Sequence, residues 1–223
     1  MEDPVKSIAF HTDMGGAGST TNAAHLCFFA ADLGLRVVGV SVGGPGDLRH
    51  WLRLGGLPYV DGRRENIPRD VDLVVFDVYS NTHYHEVLRP ALWLISVDNS
   101  EADRRAVNLA PKLHGKVLRL RNFRHGLGCE LSPELENADS IIPRCQALAA
   151  TDGSWRPVWS TPSGAYAAGT RALRELGAEA LARVGLLVPE WAPAVRDEPT
   201  PEIDEIEALG RLKDFFVHAD GNQ

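Results

Sequence analysis

The segment from residue 7 to residue 22 constrains the fold of this chain more than any other part. It reads Ser-Ile-Ala-Phe-His-Thr-Asp-Met-Gly-Gly-Ala-Gly-Ser-Thr-Thr-Asn, which is an apolar run, a glycine-rich turn and the start of a helix. In this arrangement, backbone N–H groups at a helix N-terminus can surround a di- or triphosphate. The standard motif has lysine at the position of Ser19, which carries no charge. The sequence therefore predicts the shape of a nucleotide site that lacks a main cation.

This loop resembles the deviant phosphate-binding (Walker A) loop of the ParA/MinD family of P-loop ATPases, whose pattern is Lys-Gly-Gly-x-Gly-Lys-Thr-Thr. Three glycines and two threonines match, whereas Met14 and Ser19 replace the two lysines. The resemblance implies a degenerate form of that loop. It assigns nucleotide binding to Gly15, Gly16, Ala17, Gly18, Ser19, Thr20, Thr21, Asn122 and Pro143.

Later segments resemble further parts of the same family, in the same order along the chain. The apolar run 71–77 ends in Asp77, as the family's Walker B segment ends in an aspartate that reaches the magnesium shell. The resemblance therefore implies a metal site at Thr20 and Asp77. Asn122 ends a run similar to the strand whose asparagine contacts the adenine edge, and the segment 141–144 resembles the family's Ile-Pro-Arg stretch.

An acidic motif that organises the attacking water and the metal in the family is replaced in this chain. Ser41 and Gly43 stand where its two aspartates are expected, and we interpret the nearby Asp47 as the N-cap of the next helix. One cation placed against developing charge can be worth about 10³ to 10⁵ in the rate of phosphoryl transfer. Loss of both lysines and of these acids predicts no useful turnover, so no catalytic residue is assigned. Binding is less affected, because backbone and helix-dipole contacts need no side chain.

Short β-branched runs alternate with helical segments along the chain. This pattern is typical of a mostly parallel sheet with helices on both faces, here a single-domain α/β fold like that of P-loop NTPases. The expected strands are at about 7–12, 36–42, 73–78, 93–97, 116–122 and 140–142, and the clearest helices at 20–33 and 163–184.

The C-terminal part of the chain has a different composition. We expect the P-loop domain to cover residues 1–188, a proline-rich linker 189–201 and an amphipathic helix 202–217. The apolar side of that helix either packs on its own domain or binds a partner.

Charge and hydropathy exclude several classes of protein. The formal net charge of −7 disfavours broad nucleic-acid binding, which relies on neutralisation of phosphates by lysine and arginine. The N-terminal residues do not resemble a signal peptide, and no apolar run approaches the ~20 residues of a membrane span. These features predict a cytoplasmic protein that makes no membrane contact.

Three functions agree with these residues. The first is a ParA-like pseudo-ATPase that acts as a binding or regulatory protein in DNA partitioning, cargo positioning or plasmid maintenance and transfer. It would bind ATP or ADP with Mg²⁺ weakly or not at all. The second is an active ATPase in which another basic residue, such as Arg49, Arg121 or one from a partner chain, replaces the lysine. The third is a scaffold of the same shape that binds no nucleotide.

The resemblance also suggests partners. It implies a homodimer and an adaptor protein of the ParB-like kind. DNA contact would require a local basic surface, and the candidates are Arg119, Arg121, Arg124 and Arg144; the alternative is that these arginines pair with the surplus acids.

Overall fold

A seven-stranded sheet with parallel strand pairs forms the centre of the unit Met1–Val188. The computed structural model describes residues 5–13, 16–43, 47–62, 67–68, 70–79, 88–122, 131–143, 146–149, 154–161, 164–165 and 167–186. The strands are β1 (Lys6–His11), β2 (Val37–Val42), β3 (Tyr59–Asp61), β4 (Leu73–Val78), β5 (Leu92–Val97), β6 (Lys116–Asn122) and β7 (Asn137–Ile142). Their order across the sheet is β3-β2-β4-β1-β5-β6-β7.

Strands β2, β4 and β5 are buried at every residue, as expected for parallel strands that are covered on both faces. Alternate residues of a strand point to opposite faces, so the sheet supports two apolar cores. Ile8, Leu73 and Val75 belong to one core. Ala9 and Val74 belong to the other.

Helices cover both faces. They are α1 (Ser19–Asp32), α2 (Leu48–Leu54), α3 (Ser100–Leu109), the short α4 (Gln146–Ala149) and α5 (Ala168–Arg183), with 3₁₀ turns at Ala110–Lys112 and Val158–Ser160. Residues of α1, α2 and α5 pack in the first core, whereas α3 packs in the second. The predicted α/β architecture is therefore confirmed.

Helix α5 lies against α1 and β7. A Cβ atom at Gly177 would lie 2.4 Å from Cδ1 of Phe29, so only glycine permits this close crossing of α1 and α5. On β7, the backbone N–H of Asp139 donates to the Glu179 carboxylate of α5 at 2.6 Å. No helix within the described ranges is long and apolar enough to cross a membrane.

The strand predictions agree with the structure to within a few residues, but β3 and α3 were not predicted. Strand β3 has only three residues, and α3 is rich in charge and buries Ala102, Asp103 and Ala106. The helix predicted at 163–184 begins at Ala168, later than expected. Asp47 holds the N-cap position of α2, but its side chain makes no capping hydrogen bond. The linker and the C-terminal helix lie outside the described residues and stay predictions.

Candidate functional site

The glycine-rich loop lies at the edge of the sheet where the parallel strands end. It connects β1 to α1, and β1 lies between β4 and β5. The chain continues from β1 towards β2 on one side of the sheet, and from β5 towards β6 on the other. In open α/β sheets, ligands bind in the crevice at such a reversal of strand order. The fold therefore places the loop where a ligand site is expected.

The described part of the loop has a backbone that only glycine adopts easily. Gly16 and Gly18 have φ angles of 89° and 82°, in the left-handed region. Gly18 is also the N-cap of α1, and no side chain caps the first turn of that helix. N–H groups at this N-terminus are therefore free of a capping side chain, which suits an anion such as phosphate. Met14 and Gly15 lie outside the described residues.

Thr20, in the first turn of α1, contacts Asp77 near the end of β4. The Thr20 hydroxyl donates to Asp77 Oδ2 at 2.8 Å. Asp77 lies opposite Phe10 in the pairing of β4 with β1, and it shares a strand face with Leu73 and Val75, against which α1 packs. The fold thus brings together the two residues that the sequence assigns to a metal.

The environment of Asp77 is unusual for a carboxylate. The residue is 7% exposed, and no described basic side chain forms an ion pair with it. Burial raises the pKa of Asp77 to about 6, and the charge of Asp47 acts in the same direction, whereas hydrogen bonds from Thr20 and Ser19 oppose it. Within the described part of the chain no basic side chain neutralises this buried carboxylate, and Mg²⁺ would supply a cation there. Hydroxyl and carboxylate oxygens are the hard ligands that Mg²⁺ prefers in proteins.

Ser41 lies directly beside Asp77 in the pairing of β2 with β4. It is 2% exposed, and its hydroxyl has no hydrogen-bond partner among the described residues. The resemblance to the ParA/MinD family implies an aspartate at this position, and a carboxylate here would lie next to Asp77. Serine keeps the site polar but removes that negative charge.

Asn122, at the end of β6, is hydrogen-bonded to the glycine-rich loop. Its amide N–H donates to the carbonyl oxygen of Ala17, and its Oδ1 accepts from Nδ2 of Asn22 at 3.3 Å. A Cβ atom at Gly18 would lie 2.9 Å from Nδ2 of Asn122, so the close contact requires glycine. The amide keeps one further N–H and one lone pair. Contact of Asn122 with an adenine edge stays a prediction. Pro143 directly follows β7, whose Ile142 pairs with Asn122.

The sequence analysis missed His25, which anchors the start of α1. Its Nδ1 lies 2.7 Å from the Thr21 carbonyl oxygen, and its Nε2 accepts the N–H of Val158 at 3.1 Å. The ring also makes edge contacts with Trp51 and Trp159. Burial lowers the pKa of His25 to about 4, although the Thr21 hydrogen bond favours the charged form. The imidazole is therefore neutral and serves as a buried link. The sequence feature that could have identified His25 is a single histidine within the apolar part of the predicted helix.

For Arg119 the structure confirms the alternative of pairing with an acid and excludes the basic surface. Arg119 Nη1 lies 2.6 Å from Asp103 Oδ1, and both side chains are 2% exposed. The guanidinium also donates to Asn137 Oδ1 and to the carbonyl oxygens of Ser132 and Leu135. A residue that is paired in this way cannot contact DNA. Arg124 and Arg144 lie outside the described residues, and Arg49 and Arg121 lie on α2 and β6.

No family model matches this chain, and no curated protein matches it. Solved structures do match. MinD from Pyrococcus horikoshii, complexed with Mg-ADP, is 14% identical, with a TM-score of 0.62 over 79% of this chain and 96% of that chain. The MinC:MinD complex from Aquifex aeolicus is 18% identical, with a TM-score of 0.59 over 83% and 98%. The ParA of pNOB8 bound to nonspecific DNA is 14% identical, with a TM-score of 0.51 over 81% and 98%. The chain therefore has the P-loop NTPase fold of the MinD and ParA structures.

Proposed function

We propose that this chain is a ParA-like pseudo-ATPase, a binding or regulatory protein in DNA partitioning, cargo positioning or plasmid maintenance and transfer. The observation that carries the proposal is the contact of Thr20 with Asp77 beside the uncapped N-terminus of α1. A hydroxyl and an aspartate in this position hold Mg²⁺ in P-loop NTPases, and the N–H groups of the loop hold the phosphates. The similar MinD structure contains Mg-ADP, which supports a nucleotide as the ligand.

The same residues favour binding over hydrolysis. Ser19 stands at the position of the phosphate-binding lysine, and Ser41 is neutral beside Asp77. The rate effect of one missing cation, about 10³ to 10⁵, corresponds to roughly 4 to 7 kcal/mol of transition-state stabilisation. Backbone N–H groups and the dipole of α1 still act on a bound phosphate. The chain then holds Mg-nucleotide as a structural ligand and releases little phosphate.

The partners follow from the same proposal. We propose a second copy of this chain and an adaptor protein of the ParB-like kind. The similar structures include a MinD complexed with MinC and a ParA bound to DNA, so the fold supports both kinds of contact. The net charge of −7 favours the protein partner over DNA.

Titration of the purified chain with Mg-ADP and Mg-ATP tests this proposal, together with an assay of phosphate release. We expect saturable binding and a release rate equal to the background. Thr20→Val and Asp77→Asn should each weaken Mg-dependent binding at least about tenfold, because each removes a metal ligand. Asp139→Asn, an exposed strand aspartate on β7, is the matched control and should bind as the wild type does.

Two outcomes would contradict the proposal. Absence of saturable binding would favour the nucleotide-free scaffold. Phosphate release well above background that disappears in Thr20→Val would favour the active ATPase.

A further inference from the structure

The phosphate-binding loop carries a carboxylate of its own. Asp13 lies two residues after the end of β1, and its side chain is 37% exposed. Asp13 is three residues before Gly16, so its Cα lies within about 11 Å of that glycine, and its charge acts on a phosphate bound there together with that of the buried Asp77. Two negative charges beside an anion site weaken binding unless a cation neutralises them. Lysine supplies such a cation in the standard motif, whereas this chain has Ser19 at that position.

One described basic side chain reaches Asp13. Arg105 on α3 places its Nη1 3.6 Å from Asp13 Oδ2, and its Nε donates to Oε1 of Glu101 at 2.9 Å. Within the described residues this is the ion pair that Asp13 makes. Arg104, the preceding residue, pairs with Glu101 and makes no ion pair with the loop. The two adjacent arginines both pair with Glu101, and Arg105 is the one that also contacts Asp13.

We propose that Arg105 is the cation that serves the phosphate-binding loop, because it neutralises Asp13 and so allows a nucleoside di- or triphosphate to bind. This inference rests on the proposed function, and it names the residue that compensates in part for the lost lysine. Arg105 is a positioning residue, which acts on the ligand through Asp13. Its effect is electrostatic, so dissolved salt should reduce it.

Opposite effects of the two single substitutions test the inference. In titrations of the full chain with Mg-ADP, Arg105→Gln should weaken binding about three- to tenfold, because it leaves Asp13 charged and unpaired. Asp13→Asn should strengthen binding by a similar factor. A purely structural ion pair predicts the same sign for both, since either substitution breaks it. Asp13→Asn combined with Arg105→Gln should recover at least the wild-type affinity.

Arg104→Gln is the control for charge and for the contact with Glu101, and it should change affinity less than twofold. At 0.1 M salt, charges are screened over about 10 Å, and at higher salt over a shorter distance. In 0.5 M NaCl the loss of affinity caused by Arg105→Gln should therefore become smaller.

Equal signs for Arg105→Gln and Asp13→Asn, or a double variant as weak as Arg105→Gln, would overturn the inference and leave the proposed function intact. Failure of both wild type and Asp13→Asn to bind would overturn both. Binding by Asp13→Asn alone would show that Arg105 does not neutralise Asp13 in the wild type, and it would also overturn both.

Discussion

Two buried aspartates of this fold, Asp103 and Asp77, have different partners, and their pKa values shift in opposite directions. Asp103 on α3 faces Arg119 at 2.6 Å and accepts the N–H and hydroxyl of Ser132 at 2.7 and 2.6 Å. Burial raises the pKa of Asp103, but the hydrogen bonds of Ser132 and the contact with Arg119 outweigh burial and lower it overall. Among the residues that the structure describes, the hydrogen-bond partners of the Asp77 side chain are hydroxyl groups, and burial raises its pKa to about 6.

The difference separates a structural charge from the charge of a candidate site residue. The negative charge of Asp103 is neutralised within the protein, and the pair joins α3, β6 and the segment before β7. No described basic side chain neutralises Asp77, and we propose that a ligand cation does so. A buried titratable group with a displaced pKa at a crevice is a typical mark of a functional site.

Removal of the cation from the structural pair should have the largest effect. Arg119→Met leaves Asp103 buried and without its cation, so we expect a loss of about 3 to 5 kcal/mol in the free energy of unfolding. Urea denaturation followed by circular dichroism measures it. Addition of Asp103→Leu to Arg119→Met should recover part of the loss, because the unpaired charge disappears. A loss below about 1 kcal/mol in the single variant would contradict the comparison.

Removal of the Asp77 charge should raise the free energy of unfolding at neutral pH but not near pH 4. The folded state binds the Asp77 proton more tightly, with a pKa of about 6 against the ordinary aspartate value of 3.8. Its contribution to stability is therefore complete below pH 3.8 and is lost as the pH rises through about 6. Asp77→Asn should equal the wild type near pH 4 and exceed it by roughly 1 to 3 kcal/mol at pH 7.5. Thermal or urea unfolding across this range measures the difference, and Asp139→Asn on the exposed side of β7 is the matched control. A variant less stable than wild type at pH 7.5 would show that Asp77 already has a cation.

Removal of an exposed ion pair should change the stability of the fold least. Arg36 Nη2 lies 2.7 Å from Asp72 Oδ1, and the two side chains are 63% and 31% exposed. Water and salt screen such a pair, so Arg36→Gln should shift the urea midpoint by an amount near the error of the measurement. A shift comparable with that of Arg119→Met would mean that burial does not determine the strength of ion pairs in this fold.

Local patterns predicted much of the fold, and the family resemblance predicted that Thr20 and Asp77 lie together, whereas metal binding by them stays a prediction. Strand β4 was predicted with its observed bounds, because its apolar run is continuous, and the glycine loop has a spacing that few other structures share. Thr20 and Asp77 were placed together from the order of their motifs.

The missed features depend on residues that are distant in the chain. His25 and Val158 are 133 positions apart, and Asn122 and Ala17 are 105 apart, so their contacts exist only once the sheet has formed. The sequence left open whether Arg119 forms a basic surface or pairs with an acid, since nothing near it in the sequence identifies Asp103 as its buried partner. Helix α3 was missed for a related reason, because it buries little apolar surface.

The contact between Glu179 and Asp139 bears on how folded copies can assemble. Strand β7 is an edge of the sheet, and the Glu179 carboxylate already accepts the backbone N–H of Asp139 at 2.6 Å. An incoming strand would have to displace this carboxylate to use that donor. Growth of the sheet into a fibre is therefore opposed at β7, and association of folded copies through side chains and loops is favoured over extension of the sheet at this edge.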